Sequence, residues 1–225
     1  MDPVDYLEYA DITENWFGQF PLGQTIPGER HWIDEAEEKQ GGDPEEVMYY
    51  FNEWRYRGHI TPGPGIPASF GCSHAMGYGV HRPYAEILEV ANLGCSGFSN
   101  DAIARLACSY CKEFIPPYII VLWTIPSRRE HITSSGNSKQ FRNQHSEDWH
   151  MNYIELQSQK LDEYNLQKNR LLVEMCCRAY NVKLIQFNFD NDNNDKKSRD
   201  GIHPGAAWHI NMAKEIASNE LFMSK

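Results

Sequence analysis

The sequence of 225 residues predicts a three-layer α/β/α domain on a mostly parallel sheet, preceded by an irregular acidic N-terminal arm. Three observations carry this prediction. From residue 66 onward, short apolar runs alternate with helical patterns, the signature of parallel strands joined by helices. The run Tyr-Ile-Ile-Val-Leu-Trp-Thr at 118–124 is apolar on both faces, as a strand buried between two helical layers must be. Charge is also unevenly spread. Residues 1–50 hold 13 acids and 2 bases, a net of −11, while residues 51–225 hold 18 acids and 19 bases, a net of +1. We therefore divide the chain into an arm, 1–66, and a near-neutral body, 67–225.

The arm contains Pro3, Pro21, Pro27, Pro44, Pro62 and Pro64 and many aromatics, among them Trp16, Phe17, Trp32, Tyr49, Tyr50 and Trp54. Asp43 as N-cap, Pro44 at the first position and Glu45 and Glu46 in the first turn predict a helix over 43–54. A wholly disordered tail has no use for so many aromatics. The arm is expected either to lie over the body or to dock a protein partner.

In the body, residues 66–71 read as a buried strand that ends in Gly71-Cys72-Ser73. A helix over 83–89 follows, then a strand over 90–93 closed by Gly94-Cys95-Ser96-Gly97. Ser99 caps a helix over 100–114, with Ile103, Leu106, Ala107 and Tyr110 on one stripe. After the strand at 118–124, the polar stretch 126–146 reads as a long loop. Residues 147–180 read as one or two helices whose apolar stripe is Leu156, Leu161, Tyr164, Leu171, Leu172 and Met175. A strand over 182–189, a polar loop over 190–200 and a helix over 204–222 complete the chain.

Several function classes drop out on composition. A net charge of −10 makes nucleic acid a poor partner, because phosphate contacts need clustered Lys and Arg. No apolar run reaches the roughly 20 residues of a membrane helix. Residues 1–10 hold three acids and no Lys or Arg, unlike a signal peptide, so a cytoplasmic protein is expected. Cys72, Cys95, Cys108, Cys111, Cys176 and Cys177 then read as reduced, buried side chains. Cys108-x-x-Cys111 with Cys176-Cys177 also admits a four-thiolate zinc site, but both pairs fall in helical patterns rather than on knuckle turns. Asp190-Asn-Asp192-Asn-Asn194-Asp195 lacks the glycine and the bidentate Glu of a calcium loop. No cofactor or metal is expected.

Three segments end at the sheet edge where α/β proteins bind ligands: Gly71-Cys72-Ser73-His74, residues 92–97, and Asp200-Gly201-Ile202-His203-Pro204. Together they suggest acyl transfer. A serine hydroxyl needs a base, an imidazole can take its proton, and a carboxylate can fix the imidazole. Asp200 and His203 are close enough in sequence to share one turn, and Gly97 lets a backbone N–H approach an oxyanion. His74, beside Ser73, is a rival base. The Gly-x-Ser-x-Gly elbow of other hydrolases fails because Ala75 stands where glycine is needed.

On these residues the sequence resembles the SGNH (GDSL-type) hydrolase superfamily, over residues 67 to about 218. Ser-Phe-Gly-Cys-Ser at 69–73 is similar to the first block, residues 92–99 to the second, and Asp200-Gly201-Ile202-His203-Pro204 to the last. The resemblance implies a flavodoxin-like α/β/α sandwich with Ser73 as nucleophile, His203 as base and Asp200 as its orienter. It also implies oxyanion donors at the N–H groups of Ser73 and Gly97. The substrate implied is a small-molecule or carbohydrate ester. Two blocks depart from the family pattern. Cys72 replaces the usual Asp before the serine, and the third-block Asn falls near Pro126, which has no N–H to donate. Thr124, Ser127 and Arg128 are the nearby replacements for contacting oxyanion or substrate. The Gly-Cys-Ser-His variant with Trp-Thr and Arg is similar to SGNH-like proteins of bacterial viruses. The alternative expectation is therefore a catalytically weak SGNH-fold structural or binding protein, such as a component of a viral particle.

Overall fold

The computed structural model describes residues 25–27, 48–52, 54, 56–132, 138–141, 158–188, 198 and 203–218. The central sheet is formed by β3 (Ala68–Gly71), β4 (Ala91–Gly94), β5 (Tyr118–Trp123) and β8 (Lys183–Asn188), all parallel, in the order β4-β3-β5-β8. Counted within the body this is second-first-third-fourth, the flavodoxin-like order. Its direction reverses between β3 and β5.

Strand alternation sorts the core into two faces. Phe70, Leu93, Ile119, Val121 and Trp123 point to one face, under α3 (Asn100–Phe114) and α4 (Gln159–Ala179). Ile120, Leu122 and Ile185 point to the other, under α2 (Tyr84–Ile87) and α5 (Ala206–Ser218). The result is the three-layer sandwich expected from the strand–helix alternation. As predicted, α3 begins at Asn100 with Ser99 as its cap: the Ala102 N–H donates to Ser99 Oγ at 3.2 Å.

Three local expectations are corrected. The helix predicted over 43–54 is not formed at its C-terminal half. Met48–Tyr50 is strand β2, antiparallel to β1 (Thr25–Pro27). Tyr49 is buried, its hydroxyl accepts from the Gly79 N–H at 2.6 Å, and the Arg57 guanidinium lies 4.2 Å from its ring centroid. These tertiary anchors override the helix-start signals at 43–46, which lie outside the described residues. The loop predicted over 126–146 contains an antiparallel pair, β6 (Arg129–Ile132) and β7 (Ser138–Phe141). Its polarity disguised it, because β6 is held by polar contacts to α3. The Glu130 N–H donates to Asp101, and Arg105 pairs with the Glu130 carboxylate at 2.6 Å.

The third correction concerns α4. Its buried residues are Asn165, Asn169, Val173 and Cys177, whereas Leu161, Tyr164, Leu171, Leu172 and Met175 are exposed; Leu156 of the predicted stripe lies outside the described residues. Asn165 and Asn169 turn inward because Asp101, at the start of α3, accepts from both amides at 3.0 and 2.9 Å. The same seam carries an ion pair from Arg129 to Asp162 at 2.5 Å and a Cys111–Cys177 thiol contact at 3.9 Å. All six cysteines are thiols, and among the described residues no group of three or more His, Cys, Asp or Glu is arranged to hold a metal ion. The segment 190–195 lies outside the described residues. Among the described residues no helix is long and apolar enough to cross a membrane.

Candidate active site at the carboxyl edge of the sheet

β3 and β4 end on paired glycines, Gly71 opposite Gly94. A Cβ on Gly94 would stand 2.4 Å from the Met76 nitrogen and 2.8 Å from the Ala75 carbonyl carbon. A Cβ on Gly71 would stand 2.5 Å from the Ala75 Cβ. Only glycine at these two ends lets the short helix α1 (Ser73–Met76) sit directly on the sheet. Ser73 is its first residue, at the crevice where the strand order reverses.

The turn that follows α1 is held from the N-terminal side. Arg57 is fully buried and donates from Nη1 to the carbonyls of Met76 (3.3 Å) and Gly77. Its Nη2 donates to those of Val80 (2.5 Å) and His81 (2.9 Å). Asn92, on β4, donates to the Met76 carbonyl at 3.3 Å and accepts from the Gly94 N–H at 3.0 Å. Tyr49, Phe51 and Tyr56 are also buried, so the segment around Arg57 packs as part of the body's core.

His203 meets Ser73. Its Nε2 lies 2.8 Å from Ser73 Oγ, although 130 residues separate them. Its carbonyl accepts from the Ser198 N–H at 2.8 Å, which fixes the turn just before α5. The His203 ring is flanked by His74 and Tyr78, with centroids 5.0 and 4.9 Å away. Ser73 is almost fully buried and His203 half-buried. Asp200 lies outside the described residues.

Cys72 has a polar environment that sequence reasoning missed. Its Sγ lies 3.2 Å from His74 Nδ1. Burial pushes the thiol up. The hydrogen bond and charge of His74, the charge of Arg128 and the Thr124 hydroxyl outweigh this and bring it down to about 5. Burial alone would favour the neutral thiol at Cys72, and it is these polar neighbours that favour the charged form. Cys72 engages His74, the rival base, through the nitrogen nearer the backbone.

The replacements considered for the third-block Asn fall into one group beyond β5. The Thr124 backbone is pinned on both sides by Asn100: its N–H donates to Asn100 Oδ1 at 2.9 Å, and its carbonyl accepts from Nδ2 at 3.1 Å. Thr124 Oγ1 accepts from Arg128 Nη1 at 3.1 Å. Ser127 lies in the turn between Thr124 and Arg128. Gly97 sits in the turn after β4 with φ of +83°, the left-handed region that glycine occupies without strain. The structure therefore brings Ser73 and His203 into direct contact and ties Thr124 to Arg128.

No protein-family model matches the chain, and no curated protein matches it. Among solved structures, a protein from Lactobacillus plantarum aligns with 14% identity over 71% of this chain and 97% of its own, with a TM-score of 0.34.

Proposed function

We propose that the protein is a serine ester hydrolase of the SGNH type, acting on an O-acyl ester such as an acetylated carbohydrate. One observation carries the reading: the 2.8 Å hydrogen bond between Ser73 Oγ and His203 Nε2 at the carboxyl edge of a parallel sheet. A weakly nucleophilic hydroxyl held on a ring nitrogen is the arrangement that activates serine. In the proposed cycle Ser73 Oγ attacks the ester carbonyl and its proton passes to His203 Nε2. The tetrahedral oxyanion is received by the N–H groups of Ser73 and Gly97. His203 then gives the proton to the departing alkoxide, leaving an acyl-Ser73. Water loses a proton to His203, attacks the acyl carbon and releases the acid, and Ser73 recovers its proton. Asp200 is the acid that the resemblance assigns to orient His203. Arg128, beside Thr124, supplies a cation to the rim and would favour an acyl or leaving group bearing negative charge.

Labelling with an alkyl fluorophosphonate tests the reading. The expected result is one covalent adduct on Ser73, absent in Ser73→Ala and slowed by about 10² or more in His203→Ala. Intact protein that gives no adduct at Ser73 overturns it. Equal ester turnover by wild type and Ser73→Ala would instead favour a binding or structural role for the fold.

A further inference from the structure

We propose that α4 is a dimerisation helix and that its apolar stripe pairs antiparallel with the same stripe of a second copy of this chain. Leu161 is 47% exposed, Tyr164 69%, Leu171 56%, Leu172 49% and Met175 60%. These are the residues that helical periodicity marks as a core face, yet the body buries the opposite face through Asn165, Asn169, Val173 and Cys177. Leu161, Tyr164, Lys168, Leu171 and Met175 follow 3-4-3-4 spacing, the seam of a helix that packs on another helix. Leu172 widens the seam to about 100° of the helix surface. Isolated exposed apolar residues are ordinary on a protein surface, but five aligned on one stripe along four turns, interrupted only by Lys168, are not.

The chemistry of the stripe selects the occupant. Five large side chains, between 47% and 69% exposed, offer about 500 Å² per copy, so two stripes face to face cover about 1,000 Å², near the lower bound for specific association. Facing stripes must be isologous, and the charges choose the direction. We therefore place the two copies antiparallel about a two-fold axis beside Gln167. It sets Leu161 of one copy against the Leu171–Met175 end of the other and Tyr164 against the Lys168 stem and Leu171. Lys168 already directs its ammonium to Asp101, 3.5 Å away, which leaves its methylenes to the seam. The same axis brings Lys160 of one copy to Glu174 of the other, twice. Glu174 is held in place by the Gln186 amide at 3.0 Å.

Sedimentation equilibrium of the full chain over a concentration series tests the proposal. Wild type is expected to show a monomer–dimer equilibrium. Leu171→Glu, at a site more than half exposed, should weaken it by about tenfold or more while leaving the monomer folded. Lys160→Glu should also weaken it, and adding Glu174→Lys should restore it, which a merely structural effect of either change would not do. A wild type that remains monomeric throughout overturns the proposal, whether or not another protein covers the stripe. So does a Leu171→Glu variant that dimerises as tightly as wild type, or a charge swap that fails to restore association.

Discussion

Ser73 owes its position to what neighbouring residues lack. Gly71 and Gly94 carry no Cβ, and the backbone of α1 occupies that space. Gly94→Ala would force a methyl to 2.4 Å from the Met76 nitrogen, a backbone atom with little freedom to move. We expect this change to cost about 2 kcal/mol or more of stability and to reduce fluorophosphonate labelling of Ser73. Gly63→Ala is the matched control, because its nearest neighbour stands at 4.0 Å and its φ is not left-handed. It should be neutral or stabilising by up to about 1 kcal/mol in urea unfolding. At this scale much of the site is legible in the sequence. Ser73 and His203 each follow a turn signal at a strand end or helix start, and the topology of a parallel sheet gathers such places on one edge. The state of Cys72 is not legible. It arises from His74, Thr124 and Arg128, which no spacing rule joins.

At the scale of elements, periodicity fixes where a helix runs but not which face it buries. The apolar residues of α4 form a regular stripe, so the sequence alone points them inward. The core instead receives Asn165 and Asn169, because Asp101 at the N-terminus of α3 needs donors once it is covered. Burial raises the Asp101 carboxyl, but the amides of Asn169 and Asn165, the Glu130 N–H and the charge of Lys168 outweigh it and hold the group below its ordinary value. The sign follows directly. A carboxyl whose folded pKa is depressed stabilises the fold above its unfolded pKa, near 4, and that contribution is lost as pH falls through the lower folded value. Asn169→Ala removes one donor and should cost about 1–2 kcal/mol at neutral pH. Urea midpoints of wild type and variant should converge as the buffer is acidified below about pH 4, where protonation of Asp101 weakens the charge-assisted bond. The same limitation of pattern reading hid β6 and β7. In β6, Glu130 is satisfied by Asp101 and Arg105, two positions on a helix that precedes it by a whole strand.

For the whole molecule, the net charge of −10 divides into −11 on residues 1–50 and +1 on the remainder, so acid sensitivity of the fold must be sought in particular buried groups rather than in overall charge. His209 is the strongest such group after the site itself. It is fully buried in α5, its Nδ1 accepts from the Tyr84 N–H at 3.2 Å, and its ring stacks on Tyr84 with centroids 5.9 Å apart. Among the described residues its Nε2 has no partner. Burial, together with the charges of Arg57, His74 and His203, lowers its pKa from 6.5 to about 3. The native imidazole is therefore neutral where the unfolded one is charged. Between about pH 6.5 and 3 the unfolded chain binds the extra proton, so stability falls with pH, at about 1.4 kcal/mol per unit from this residue alone. His209→Gln keeps a hydrogen-bond acceptor of similar reach but removes the titration. It should be less stable than wild type at pH 7, because it loses the ring packing against Tyr84 and Trp208. Its deficit in urea unfolding should shrink steadily toward pH 4. A constant deficit across that range would mean that His209 takes up its proton as readily in the folded protein as in the unfolded chain. The neutral-core account of this face, where α5 leads back to His203, would then fail.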